Sequence, residues 1–283
     1  MTDAAYPPSA LELDRRAYRK RQSTKSVFVA LVSTLAFAAV VWLTVLNTPG
    51  WAGVQQSFFD PATFWSSLPR VWEGFLLNLQ VLALSVVTVA IFATVIALLR
   101  TLRGAVFFPV RVLAAAYTDV FRGIPLIIVL YLIGFGVPAL LNQRVPLILL
   151  GTAAITITYS AYVSEVIRAG IEAVHPSQRI AARAMGLGYA QTLRLVVLPQ
   201  ALRKMTPPLM NDFVAMQKDV GLVSIIGLVD AVRAAQIETS LSYNFTPYIV
   251  AALLFVLLAI PTIRLTDWYT ARLQRREQMG SVV

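Results

Sequence analysis

Four polar residues stand where the chain is otherwise apolar. They are Asn211, Asp212, Lys218 and Asp219, within MTPPLMNDFVAMQKDVGLVSIIGL from Met205 to Leu228. At about 3.6 residues per turn, Asn211 and Lys218 stack on one helical face and Asp212 and Asp219 on the neighbouring one, giving a polar wall of both signs. At mid-membrane a charge costs about 2.5 to 3.5 kcal/mol, while each Leu, Ile, Val or Phe returns only about 0.3 to 0.6. Such a segment is kept from lipid and faces a helix bundle or a wet cavity. Two chemistries are open to it: the wall binds a polar solute, or Lys218 neutralises an aspartate and holds neighbouring helices together. Pro207-Pro208 and Gly221 are expected to weaken or bend this helix, and interrupted helices are common at transport sites.

Two further pairs, Asp119 with Arg122 and Glu165 with Arg168, have the i, i+3 spacing of structural ion pairs. Glu165 is also a candidate for the solute path. Tyr117, Tyr159 and Tyr162 share those helices, and tyrosine there either packs with a satisfied hydroxyl or hydrogen-bonds a ligand. Little else in the chain could carry a reaction. The 283 residues include no cysteine and one histidine, His175, which lies beside Pro176 and reads as a loop residue rather than a base or metal ligand. No lysine follows a glycine, so no phosphate-cradling loop of the Gly-Lys-Ser/Thr kind is present. Neither an enzymatic centre nor a metal site is expected.

These side chains must be positioned by membrane-spanning helices. The composition is 58% hydrophobic and 13% charged, too apolar for a soluble domain. Apolar runs that meet or approach the roughly 20 residues needed to cross a bilayer lie at about Val27–Leu46, Gly74–Leu99, Val112–Leu140, Pro146–Ile167 and Thr246–Ile263. With the polar Met205–Leu228 segment as another crossing, the reading is an all-α membrane protein of about six transmembrane helices. With both termini on one side, that side holds the basic run Arg15 to Lys25, Arg100, Arg103 and Arg111, the group Arg168 to Lys204, and Arg264 to Arg276. Only Arg70, Arg144 and Arg233 fall on the other. This asymmetry places both termini of a multi-pass membrane protein in the cytoplasm. It also accounts for the net charge of +10 without nucleic acid. The first run reads as a retained helix rather than a secretory signal, because it exceeds the usual signal core. The expected division is a basic tail over 1–26, a first helix and external connection over 27–73, a membrane-spanning domain over 74–270, and a C-terminal tail over 271–283. Asp230, Arg233 and Glu238 fall on the external side.

Between two crossings lies QRIAARAMGLGYAQTLRLVVLP, Gln178 to Pro199. Pro176 stops the preceding helix, Ser177 is a reasonable N-cap, and Gly186 and Gly188 end the short helix. Ile180, Ala184 and Leu187 align at i, i+4 and i+7, with Gln178, Arg179 and Arg183 exposed. At about three turns the helix is too short to span, so it lies on the cytoplasmic surface, either resting on headgroups or receiving a soluble partner.

The string from Gln178 through Ala181-Ala182, Gly186 and Leu198-Pro199 resembles the cytoplasmic signature of ABC importer permeases. Tyr117 to Pro125, Ala161-Tyr162 with Glu165 and Arg168, Pro208 with Asn211, and Lys218-Asp219 are similar to the branch that imports polar amino acids of the histidine, glutamine, glutamate or arginine type. The resemblance covers roughly Gly74 to the C-terminus. It implies the five-helix type I importer core plus one extra N-terminal helix, and a coupling helix at about 177–190 whose Gln178, Ala181, Ala182, Gly186 and Leu187 meet an ATPase subunit. Implied partners are two ATP-binding cassette ATPase subunits holding ATP and Mg, a second permease subunit, identical or related, an extracytoplasmic substrate-binding protein, and membrane lipid. No cofactor is implied in this chain. The implied substrate path is Glu165, Asn211, Lys218 and Asp219, with Asp119, Arg122 and Arg168 in structural pairs. This chain departs from the pattern in having Ser177 and Ile180 where Gly and Glu are usual, and Val220-Gly221-Leu222 where Thr-Ser-Leu is common. Another small solute, such as a peptide, opine or metal chelate, or an ATP-independent secondary transporter, remain the alternatives.

Overall fold

The computed structural model describes residues 9–102 and 104–280, with side chains described as far as residue 273. Arg103, and the parts of both tails at 1–8 and 281–283, lie outside the described residues, as do the side chains of Arg275 and Arg276. Among the described residues every regular element is helical. The chain divides into two compact units, Met1–Ser57 and Phe58–Val283.

The first unit is dominated by α1 (Ala10–Val41), which continues through a π-helical turn, Trp42–Leu46. Ser9 caps it by accepting from the Glu12 N–H at 3.3 Å. The basic run expected to be a tail is therefore the first part of a helix continuous with the first span. At 1.5 Å per residue the run Ala10–Leu46 is roughly 55 Å long, well beyond a hydrocarbon core of about 30 Å. None of its residues is buried in the unit. The short α2 (Trp51–Phe58) follows.

The second unit begins with α3 (Pro61–Thr101). Asp60 opens it, its Oδ2 accepting from the Thr63 N–H at 2.9 Å and the Thr63 hydroxyl at 2.5 Å. The expected connection reached Glu73. Instead the helix starts at Pro61 and runs through Pro69, because proline is tolerated where neighbouring helices support the backbone. After α4 (Phe108–Gly123) comes α5 (Leu126–Leu141), so the span expected over Val112–Leu140 is built of two half-helices. The axes bend by 107° at the break. Ile124, which precedes Pro125, is extended with ψ 128°, as the clash of the proline ring with the preceding residue requires.

Next come α6 (Leu147–Glu172), α7 (Pro176–Ala184), the single turn α8 (Tyr189–Gln191), a π-helical turn at Thr192–Val197, and α9 (Leu198–Asp219). A 3₁₀ turn, Val220–Ile226, leads to α10 (Ala231–Ser242) and α11 (Thr246–Gly280). Of the two weak points expected in this segment, Pro207-Pro208 lies within α9, while the helix does end beside Gly221, in the 3₁₀ turn. Four helices are long and apolar enough to cross a membrane, and six spans result if each of the two bent pairs counts as one.

The core forms where α3, α5, α6, α9 and the 3₁₀ turn meet. Val81, Leu130, Ile155, Val220 and Val223 are all fully buried there. A second cluster, with Val71, Phe75, Ala231 and Val250, joins α3, α10 and α11, and Phe75 meets the Phe255 ring edge-on at 5.5 Å. A third, with Val174, Val197, Ala201 and Met205, fastens α9 beneath the C-terminal end of α6. Gly74 permits the close approach of α3 to α10: a Cβ there would collide with the backbone of Asp230 and Ala231.

Candidate functional site

The α4–α5 break, the middle of α6 and the C-terminal half of α9 enclose a cavity of about 250 Å³. Ile124, Pro125 and Leu126 line it from the break; Thr158, Tyr159 and Tyr162 from α6; Asp212, Ala215 and Asp219 from α9. The spacing of Asp212 and Asp219 does put both on one wall. The Tyr159 hydroxyl donates to Asp219 Oδ2 at 2.7 Å, while the Tyr162 hydroxyl donates to the Arg122 carbonyl at 3.0 Å. Two buried polar atoms of the lining have no partner: Asp212 Oδ2 and Thr158 Oγ1, the latter on a residue only 3% exposed. A buried unpaired polar atom is costly, about 1 to 3 kcal/mol. The pair therefore marks where a polar ligand gains most.

Of the path residues expected from the sequence, Asp219 lines the cavity and the other three do not. Asn211 and Lys218 are exposed, one residue round α9 from the aspartates, and Lys218 makes no ion pair among the described residues. The neutralising bond it was offered does not form. Glu165 is the centre of an ion cluster instead. Arg168 holds it from one turn further along α6, Arg100 reaches across from α3 to its Oε2 at 2.6 Å, and Arg168 also meets Glu172 at 2.5 Å. Arg100 was not foreseen, since no spacing rule joins residues from different helices. Asp119 and Arg122 make no ion pair among the described residues, despite their spacing. The Arg122 guanidinium lies over the Tyr162 ring, 5.9 Å from its centre.

Thr158, Tyr159, Tyr162 and Asp212 are the polar lining residues that the sequence reading left out of the path. Their signal was the seven-residue repeat that puts Asp212 beneath Asp219, together with hydroxyls on the facing helix. Val220 and Gly221, which replace the usual hydroxyl residues, are buried in the core, with Gly221 against Phe255 and Val232. That departure bears on packing and not on the cavity wall. Ala215→Cys should react with a membrane-impermeant thiol reagent, because the chain has no other cysteine and Ala215 faces the cavity. Failure to label, with labelling at a tail position as control, would show the cavity closed to water.

Asp230, expected on the external surface, is fully buried. It caps α10, accepting from the Arg233 N–H at 2.9 Å, and its Oδ2 accepts from the Asn78 amide at 2.9 Å. The same amide nitrogen donates to the Val220 carbonyl, and Asn78 Oδ1 accepts from the Ala231 N–H, both at 3.0 Å. Glu238 is taken by Arg70 at 2.5 Å.

The expected coupling helix is α7, over Pro176–Ala184 rather than 177–190. Its cap is His175 and not Ser177: the imidazole Nδ1 accepts from the Ser177 N–H at 3.3 Å and pairs with its hydroxyl at 2.7 Å. Pro176 opens the helix, where its missing N–H costs nothing. Gly186, at φ 84°, ends it in the left-handed region that favours glycine. The face expected to be buried is turned outward. Ile180 is 68% and Met185 73% exposed, whereas Ala182 is 1% exposed, on a helix packed against Thr192–Val197. Arg179, expected to be exposed, is partly buried and donates to the Ile171 carbonyl at 2.8 Å. Gln178, Ala181 and Gly186 are exposed and Leu187 half-buried.

Residues 104–275 match the family model described as "Binding-protein-dependent transport system inner membrane component". The chain is 33% identical over 194 residues to the "Arginine transport system permease protein ArtQ" of Bacillus subtilis, covering 68% of this chain and 87% of that one. It is also 33% identical over 192 residues to the "Probable glutamine ABC transporter permease protein GlnP" of the same organism, covering 66% and 86%. Among solved structures, one described as an "amino acid ABC transporter with histidines" is 34% identical, with a TM-score of 0.69, over 75% of this chain and 98% of that one.

Proposed function

We propose that this chain, which belongs to the family of binding-protein-dependent transport system inner membrane components, carries a polar amino acid through the cavity at the α4–α5 break as the permease subunit of an ATP-binding cassette importer. The observation that carries the reading is that cavity. It combines an apolar wall with the polar groups of Thr158, Tyr159, Tyr162, Asp212 and Asp219, sits at a discontinuity between two half-helices, and is sized for a small solute. The relatives named for arginine and glutamine transport support the cargo class.

In this reading two ATPase subunits hold ATP and Mg and receive the outward face of α7, Ile180 and Met185 included. Closing of those subunits moves α7, and through the adjoining π-helical turn and α9 switches the cavity between the two sides. A second permease subunit, identical or related, lies against the exposed Asn211–Lys218 face of α9, which completes the path. An extracytoplasmic binding protein delivers the amino acid at the end of the bundle that carries α10. In this reading both termini lie in the cytoplasm, which the distribution of Arg and Lys supports.

The test is uptake of a labelled amino acid into vesicles holding the chain with its ATPase subunits and binding protein. Uptake is expected only with ATP and all three components. Accumulation that persists without the ATPase subunits would instead make the chain a secondary transporter.

A further inference from the structure

Resting on the amino acid permease reading, we propose that the cavity selects amino acids with a cationic side chain, a guanidinium or an ammonium. The charged side chains in its lining are Asp212 and Asp219, and no lysine or arginine lines it. Lys218 is exposed, one residue round the helix, and forms no ion pair with either aspartate. Arg122, on α4, lies over the Tyr162 ring and pairs with neither. Asp219 has one hydrogen bond, from Tyr159, while Asp212 Oδ2 and Thr158 Oγ1 are buried with no partner at all.

The opposite wall has the other polarity. At its start α5 has no side-chain cap, and Ile128 and Val129 donate their N–H groups back to the Pro125 carbonyl at 2.9 and 3.4 Å. The N–H groups of Leu126 and Ile127 have no intrahelical acceptor, and Leu126 lines the cavity. A helix start of this kind favours a carboxylate.

A charge count then separates cargo classes. Every zwitterionic amino acid brings one carboxylate, for the start of α5, and one ammonium, for one aspartate. The second aspartate remains uncompensated at membrane depth, which is costly. A cationic side chain satisfies it, a neutral amide leaves it, and an acidic side chain adds repulsion. The Thr158 hydroxyl can bond either end of the main chain, so it contributes to all three classes alike.

The experiment is titration of the full-length chain, copurified with its ATPase subunits into lipid nanodiscs, with L-arginine, L-glutamine and L-glutamate. L-Arginine is expected to bind at least tenfold tighter than L-glutamine, with L-glutamate weakest. Asp212→Asn should lower arginine affinity about tenfold and leave glutamine unchanged. Thr158→Val, close in shape, should weaken all three, and with the wild-type ratio it decides the matter if Asp212→Asn does not yield monodisperse protein. Glutamine binding as tightly as arginine would overturn cation selection and leave the permease reading intact. So would displacement of arginine by sodium ions at equal concentration, which would make this an inorganic cation site. No binding of any of the three, while ATP-driven uptake of an amino acid persists, would overturn the use of this cavity. Uptake without the ATPase subunits counts against the permease reading alone.

Discussion

Ala182→Trp is expected to abolish ATP-driven uptake and stimulated ATP hydrolysis together, with membrane insertion retained. The reason is mechanical. Ala182 is 1% exposed, on a helix packed against Thr192–Val197, so an indole can enter only by lifting α7 away. Overpacking costs about 1 to 3 kcal/mol or more. The polar bonds that oppose the lift are few, chiefly Arg179 to the Ile171 carbonyl at 2.8 Å and Gln200 to Gln178 at 3.5 Å. A displaced α7 no longer presents its outer face in register. Ile180→Lys separates docking from packing. Ile180 is 68% exposed, so folding should change by no more than about 0.5 kcal/mol. Docking of the ATPase should weaken by the loss of one buried aliphatic side chain, about 1.5 to 3 kcal/mol, or roughly ten- to a hundredfold. Titrating ATPase subunits against permease in vesicles reads both variants. Normal coupled activity in Ala182→Trp would reject α7 as the coupling element.

The second large effect is expected from Asn78→Leu. Leucine has as many side-chain heavy atoms as asparagine but none that is polar, so three buried groups lose this partner: the Val220 carbonyl, Asp230 Oδ2 and the Ala231 N–H. At about 1 to 3 kcal/mol for each unsatisfied group, the cost is on the order of 3 to 9 kcal/mol. That is a large part of the stability of an ordinary domain. The bonds join α3 to both sides of the 3₁₀ turn that follows Asp219, so the end of the bundle that carries α10 should loosen first. Thermal unfolding in detergent, followed by loss of monodisperse protein, should show a much lower midpoint than Gln80→Leu, an exposed change on the same helix. Equal midpoints for the two variants would deny Asn78 this role.

Much of the architecture was legible because lipid imposes a coarse rule. Apolar runs of sufficient length, and the sidedness of Arg and Lys, were enough for a multi-pass helical chain, and the match over residues 104–275 agrees with the family read from Gln178 to Pro199. The failures lie where a neighbour decides. Pro69, Pro207 and Pro208 are breakers by local chemistry but stay inside helices. Pro125 does break its span, and its effect on Ile124 was available in the sequence. Period fixed that Asp212 and Asp219 share a face and that Asn211 and Lys218 share the next. It could not say which face turns inward, because that depends on α6 and the α4–α5 break. The outward turn of Ile180 and the burial of Asp230 were missed for the same reason: each depends on an element remote in the chain.

The helix α9 runs unbroken from Leu198 to Asp219, with a π-helical turn at its root and two carboxylates near its tip. A rod of this kind conducts torque. In the proposed cycle a twist is applied where α7 abuts the root, and a quarter-turn at Asp212 would carry that carboxylate off the cavity wall and bring Asn211 or Phe213 towards it. In the proposed transport cycle, grip and release of the cargo are two angular settings of one shaft.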